Sequence, residues 1–246
     1  MQHLRIQIAA ATRMLVDAAI LGYSGHLSVR AGGEDHLFIQ PVDDPRAGLR
    51  PERVLLVDFD GAVLDGEGRP PSELAIHTGI YRARPDVGAV AHFHHDRTTA
   101  FAMVGDCPLV AVKNHASRWM SGVPVHPDPS HISSPAQGRA LAATLGSANA
   151  ALLRGHGEVI VAENVPALFA DVVHFVENAD TLACAARLGR VVPLSAQECE
   201  LFTATFDRAR HARKLWRYYA AVAVERGNLP EEWAGLPPAA ALEPTG

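Results

Sequence analysis

Cysteine is scarce in this 246-residue chain. Cys107, Cys184 and Cys199 are odd in number, widely spaced and form no CxxC pair, which argues against a disulfide framework or a thiolate metal site and leaves them as packing residues. Long apolar runs are missing too: nothing approaches the roughly 18 consecutive apolar residues of a membrane span. The opening MQHLRIQIAAATRMLV lacks the basic, apolar and small-residue order of a secretory signal, so a cytoplasmic protein with no membrane partner is expected. There is no excess of positive charge. A formal charge of −5 and a pI near 6.2 give no pull toward nucleic acid or anionic lipid, which leaves a small-molecule substrate as the expected partner.

With 48% hydrophobic residues and a mean hydropathy of +0.04, the chain can bury one substantial core. No internal repeat or linker divides it, and we expect one domain over residues 1–228 with a flexible tail over 229–246, ending in LPPAAALEPTG. Helical spacing over residues 4–21 stops at Gly22. Short strands are expected at His26–Arg30, His36–Gln40 and Val54–Asp58, a helix capped by Ser72 to Ala83, and a buried strand from Val87 to Phe93. Asp96 should cap a helix through Met103, and Ser134-Pro135 should open another that closes on Gly146. Strands at Ala150–Leu153 and Val159–Ala162 flank the turn Arg154–Gly157. A long helix follows from Ala167 to Leu188, and the capping box Ser195–Glu198 starts another running to about Glu225. The fold class is α/β: a single α/β/α domain around a mostly antiparallel central sheet.

Histidine is abundant, with 13 residues, and its spacing is informative. In Ala91-His92-Phe93-His94-His95, strand alternation turns His92 and His94 to one face and sends Phe93 and His95 to the other. Two imidazoles fixed side by side are half of a transition-metal site, and a catalytic site takes three protein ligands while leaving a position open. His156, between Gly155 and Gly157, is the best third candidate, since glycine on both sides permits a sharp turn and a close approach. The same HxH pattern also suits a solvated strand face, and a turn histidine is often only that. His95 is expected to orient a ligand through a hydrogen bond. Glu73, at the start of a helix, is either a proton-transfer group or an ordinary first-turn acid.

These residues resemble the class II aldolase/adducin family, which includes the fuculose phosphate and ribulose phosphate aldolase-type enzymes. The similar stretches are Gly25–Arg30, Pro71–His77, Tyr81 through His94 and Leu153–Gly157, in an order spanning roughly residues 5–220. The resemblance implies a class II aldolase-like fold, Glu73 as the acid/base, and His92, His94 and His156 as ligands of one divalent ion: zinc, manganese, iron or cobalt. It also implies a homo-oligomer, a tetramer with active sites at subunit interfaces. Sugar-phosphate members cradle phosphate with an asparagine, a Ser/Thr-Gly turn and a Ser-Ser pair. Here His26 replaces the asparagine, Pro41–Pro45 with Asp43 and Asp44 replaces the turn, and Pro71-Ser72 precedes Glu73. Two acids at that turn argue against a phosphorylated substrate.

The stretches His92–Arg97, Lys113–Trp119 and Pro124–His131 look closer to a decarboxylase branch acting on dihydroxyphthalate-like or hydroxymethylpyridine dicarboxylate-like acids. That branch implies decarboxylation of a hydroxylated aromatic or heteroaromatic (di)carboxylate in aromatic catabolism, through a metal-stabilised enolate or dienolate protonated by Glu73. To donate, Glu73 needs a raised pKa, which burial favours and a cation opposes. His26 and the cations Arg30, Arg97 and Arg118 are candidates for substrate binding, and His115 is an alternative proton donor. A class II aldolase cleaving an unphosphorylated hydroxy-keto substrate uses the same ligands, as does a non-haem iron oxygenase.

Overall fold

The computed structural model describes residues 1–32, 35–105 and 108–235. Cys107, expected to be a packing residue, lies outside them, as does the tail segment LPPAAALEPTG. Cys184 is exposed and Cys199 buried.

Eight strands form one sheet in the order β4-β3-β2-β1-β5-β8-β7-β6. They are β1 (His26–Ala31), β2 (His36–Ile39), β3 (Leu55–Asp58), β4 (Val63–Asp65), β5 (Ala89–Phe93), β6 (Val125–His126), β7 (Ala150–Leu153) and β8 (Gly157–Ala162). Every pairing is antiparallel except β6 with β7. Helices α1 (Gln2–Asp17), α5 (Val165–Leu188) and α7 (Arg208–Glu225) bury one face, with Ile8, Leu15, Phe169, Phe175 and Trp216 in that core. Helices α2 (Leu74–Ala83) and α4 (Pro135–Leu145) bury the other, against Leu37, Ile39, Val57 and Val90. The central strands are buried on both sides and so read as apolar runs, whereas β3 alternates. The chain is a single mixed α/β domain, as expected.

Several local expectations need correction. α1 ends at Asp17 rather than near Gly22, because Ala19 takes φ 57° and Ile20 N donates to Leu15 O. Ser72 does not cap α2; Glu73 occupies that position with no side-chain cap bond. Ser134 does cap α4, in a full capping box with Gln137 and with Pro135 in the first turn. The helix expected to run unbroken from Ser195 is two, α6 (Ala196–Thr205) and α7, because Asp207 caps α7 through Arg210 N. Within residues 229–235, which the expected tail includes, Leu229 is buried and Trp216 Nε1 donates to Ala234 O at 3.2 Å, while Glu231, Glu232 and Gly235 are exposed. No helix among the described residues is long and apolar enough to cross a membrane.

α2 and α4 pack unusually close. A methyl at Gly138 would stand 2.2 Å from Ala75 O, and one at Gly79 would stand 2.6 Å from the Gly138 carbonyl. This contact fixes the start of α2, and Glu73 with it, relative to the segment before α4.

Candidate metal centre

β5 ends with His92 and Phe93, and His94 follows immediately. Alternation brings the His92 and His94 Nε2 atoms within 3.0 Å of each other. The β7–β8 turn delivers His156. Gly155 has φ +62°, and a methyl on Gly157 would lie 2.4 Å from Phe93 O, so one glycine is required by conformation and the other by space. From the opposite side Glu73 places Oε2 3.4 Å from His92 Nε2 and Oε1 3.3 Å from His156 Nε2. Donor atoms of Glu73, His92, His94 and His156 all lie within 4.8 Å of one another.

The donor set fits a bound divalent ion. His92 Nδ1 donates to the Glu158 carbonyl at 2.9 Å, which in the neutral ring leaves Nε2 as a bare lone pair facing a carboxylate. Two acceptors pointed at each other call for a cation between them. Both ring nitrogens of His156 are shut off from solvent without a hydrogen bond; the 3.3 Å approach to Glu73 has a distance but not an angle suited to one. Burial, followed by His92 and His156, pushes His94 down to about 4, so it is a neutral ring at pH 7. The partner that orients His92 is thus the Glu158 carbonyl and not His95, whose buried Nδ1 bonds nothing.

Glu73 is buried, and burial alone would raise its pKa. The Ile132 amide, which donates to Oε1 at 3.1 Å, opposes this, and protons on the flanking His92 and His156 nitrogens, where those rings are not ligands, complete the offset. The net shift is downward, to a carboxylate held well below the ordinary range.

The centre opens into a pocket lined by Gly22, Tyr23, Ser24, His94, Asp96, Pro129, His131, Gly155 and His156. His131 Nδ1 stands 3.6 Å from Glu73 Oε1. Sequence reasoning did not place Tyr23, Asp96 or His131 at the site. The available signal was position: His131 immediately precedes the segment whose amide anchors Glu73.

The other candidates lie elsewhere. His26 is buried beneath the ligands, its ring 5.2 Å from that of His92, in a chain of hydrogen bonds: His26 Nδ1 to His77 Nε2 at 2.7 Å, His77 Nδ1 to Ser28 Oγ at 2.6 Å, and Ser28 Oγ to Tyr81 OH at 2.8 Å. It supports the site from behind rather than facing the pocket. Arg30 donates to the carbonyls of Val87, Tyr81 and Arg84 and lies over the Tyr81 ring at 4.8 Å. Arg97 pairs with Asp180 at 2.9 Å, and Arg118 with buried Asp171 at 2.7 Å. The structure brings none of these arginines to the histidines, because each guanidinium is already committed. Asp44 forks onto Arg53 and Asp43 pairs with Arg69, so the two acids expected to repel phosphate are charge-compensated. His115 is not beside Glu73; it stacks on His174 and His211 in the helical layer.

The family model of the Class II Aldolase and Adducin N-terminal domain matches residues 6–183. A 3,4-dihydroxyphthalate decarboxylase from Arthrobacter keyseri is 31% identical over 192 residues, which cover 73% of this chain and 75% of that protein. A 5-methylthioribulose-1-phosphate/5-deoxyribulose-1-phosphate aldolase from Rhodospirillum rubrum is 43% identical over 84 residues, 34% of this chain and 37% of that one. An aldolase II superfamily protein from Pseudomonas syringae has a similar structure, with a TM-score of 0.79 at 24% identity over 92% of this chain and 94% of its own.

Proposed function

The chain belongs to the Class II Aldolase and Adducin N-terminal domain family, and on that footing we propose that it is a metal-dependent decarboxylase of a hydroxylated aromatic or heteroaromatic dicarboxylate. The observation that carries this reading is the breadth of the likeness. The sequence alignment with the dihydroxyphthalate decarboxylase extends over 73% of the chain and that with the Rhodospirillum rubrum aldolase over 34%, while in fold alone an L-fuculose 1-phosphate aldolase matches 92% of it.

His92, His94 and His156 would hold a divalent ion, with Glu73 beside them. A bound ion supplies a Lewis acid for the charge that develops on the substrate hydroxyl oxygen. Glu73, a carboxylate flanked by imidazoles, takes the hydroxyl proton and returns it to the ring carbon that loses carbon dioxide; water reprotonates the product oxygen. The Ile132 amide, donating to Oε1 at 3.1 Å, holds the Glu73 carboxylate beside the histidines. His131 meets a second substrate carboxylate at the rim. Since Arg30, Arg97 and Arg118 are committed elsewhere, a cationic clamp on that group comes from a neighbouring copy of the chain, in keeping with a homo-oligomer.

The test is product detection. Purified protein loaded in turn with manganese, zinc, iron or cobalt is given ortho-hydroxy aromatic and pyridine dicarboxylates, and carbon dioxide is followed. Metal-dependent release that is lost in both His92→Ala and Glu73→Gln is the expected result. No release from any member of the panel, with aldehyde formed from hydroxy-keto acids instead, would replace the reading with an aldolase.

A further inference from the structure

A second group of histidines lies on the other side of the sheet, in the layer of α5 and α7. His115 comes from a 3₁₀ turn (Asn114–Trp119), His174 from α5 and His211 from α7. Their donor nitrogens all lie within 4.8 Å of one another. The ring centroids are 4.3, 4.6 and 5.0 Å apart, against 4.6, 5.0 and 5.1 Å among His92, His94 and His156. The two triads therefore have nearly the same dimensions.

The surroundings are those of a built site. Phe202 and Phe206 wall His115 at 5.5 and 5.4 Å, and Phe206 lies 5.1 Å from His211, which limits the water available to compete for the nitrogens. His174 and His211 turn their Nε2 atoms to within 3.2 Å of each other. Glu177 lies three residues beyond His174 on α5, a spacing that puts both on one helix face, and its carboxylate acts on both His115 and His211. Of the nearby cations, Lys113 is paired with Glu177 and Arg208 with Asp171 and Glu163. A groove lined by Phe206, Asp207 and His211, and also by Arg210, Arg213, Lys214 and Arg217, leads in from solvent; the ion must bind against this positive rim through the imidazoles and Glu177.

We propose that His115, His174 and His211 form a second divalent transition-metal site, with Glu177 as a supporting carboxylate. Three imidazoles suit zinc or cobalt(II), and the ion would tie the 3₁₀ turn to α5 and α7, three segments far apart in the chain. Neither the family assignment nor the proposed reaction uses His174 or His211.

The test is metal stoichiometry. Protein stripped with a chelator is dialysed against zinc, and bound metal per chain is measured by mass spectrometry. The wild-type chain should hold two ions and His211→Gln, a surface-side change, only one. A His92→Ala/His156→Ala chain should keep one ion and a visible cobalt(II) spectrum, both lost when His211→Gln is added. If that double variant does not fold by circular dichroism, the comparison of His211→Gln with wild type decides alone. One ion in the wild type and an unchanged count in His211→Gln would overturn the proposal.

Discussion

Gly157→Ala tests the geometry of the metal centre most directly. The added methyl would stand 2.4 Å from Phe93 O and 2.7 Å from His94 Cδ2, where ordinary contact starts at 3.4 Å, so about 1 Å must be found between β5 and β8. Overpacking of this kind costs about 1–3 kcal/mol. Against it stands a gain of about 0.4–1 kcal/mol from a stiffer unfolded chain. Midpoint against midpoint, the net loss is about 1.3 kcal/mol within a span of about 0–2.6 kcal/mol, which lowers Tm by about 3–5 °C for a domain of this size. The same displacement separates His156 from His94, and metal sites tolerate about 0.2 Å in ligand distance. Zinc affinity should fall at least 10-fold, about 1.4 kcal/mol, as when supporting groups of metal ligands are altered. The assay is thermal unfolding by circular dichroism, once in chelator and once in excess zinc. The variant should melt lower in chelator and gain less from zinc. Wild-type melting in chelator together with the full zinc-induced rise would refute the reasoning.

Other perturbations follow from the same coordinates. Gly138→Ala drives a methyl into Ala75 O at 2.2 Å, with helix backbone on both sides; it should cost at least about 1–3 kcal/mol, read as a lower urea midpoint. Arg118→Met leaves buried Asp171 with Arg208 alone and should cost about 1–3 kcal/mol in urea unfolding, less than a fully buried pair because Arg118 is partly exposed; adding Asp171→Asn should restore part of it. His77 is held at about 3 by burial and by the positive end that His92 would present, against 6.5 when unfolded. The unfolded chain therefore takes up the proton first, so stability in chelator should fall as pH drops from about 6.5 toward 3, and the slope should be shallower in His77→Gln. Removing metal from the wild-type chain should lower Tm, reversibly on adding zinc, because an ion that binds only the folded state stabilises it; an unchanged Tm would count against the His92 centre.

The grouping of His92, His94 and His156 was legible because period-two alternation and a Gly-His-Gly turn are local rules. So was the Ser134 cap, where cap, proline and glutamine sit within four residues. The break between α6 and α7 was not, since Asp207 lies inside an otherwise continuous helical pattern and its capping role depends on the backbone turning there. The arginines failed for a different reason. A guanidinium's partner is set by tertiary placement, and nothing near Arg118 in sequence announces Asp171, 53 residues on. His131 sits in a loop rich in proline, serine and histidine, and only the packing of α2 on α4 brings it to Glu73. His174 reads as one polar residue in a mostly apolar helix, and its neighbours come from two other elements.

The pocket around the metal centre has two kinds of wall. Behind it Glu73 and His92 are buried at the start of α2 and on β5, while Tyr23, 98% exposed, and His131, with a side chain 79% exposed, stand on loops at its rim. Such a division separates what descent must preserve from what it is free to change. Replacing the loop residues alters which molecule is admitted without disturbing the ion or the acid beside it. The chain's likeness both to a 3,4-dihydroxyphthalate decarboxylase and to a 5-methylthioribulose-1-phosphate/5-deoxyribulose-1-phosphate aldolase accords with a frame whose rim, rather than its buried groups, sets what is admitted.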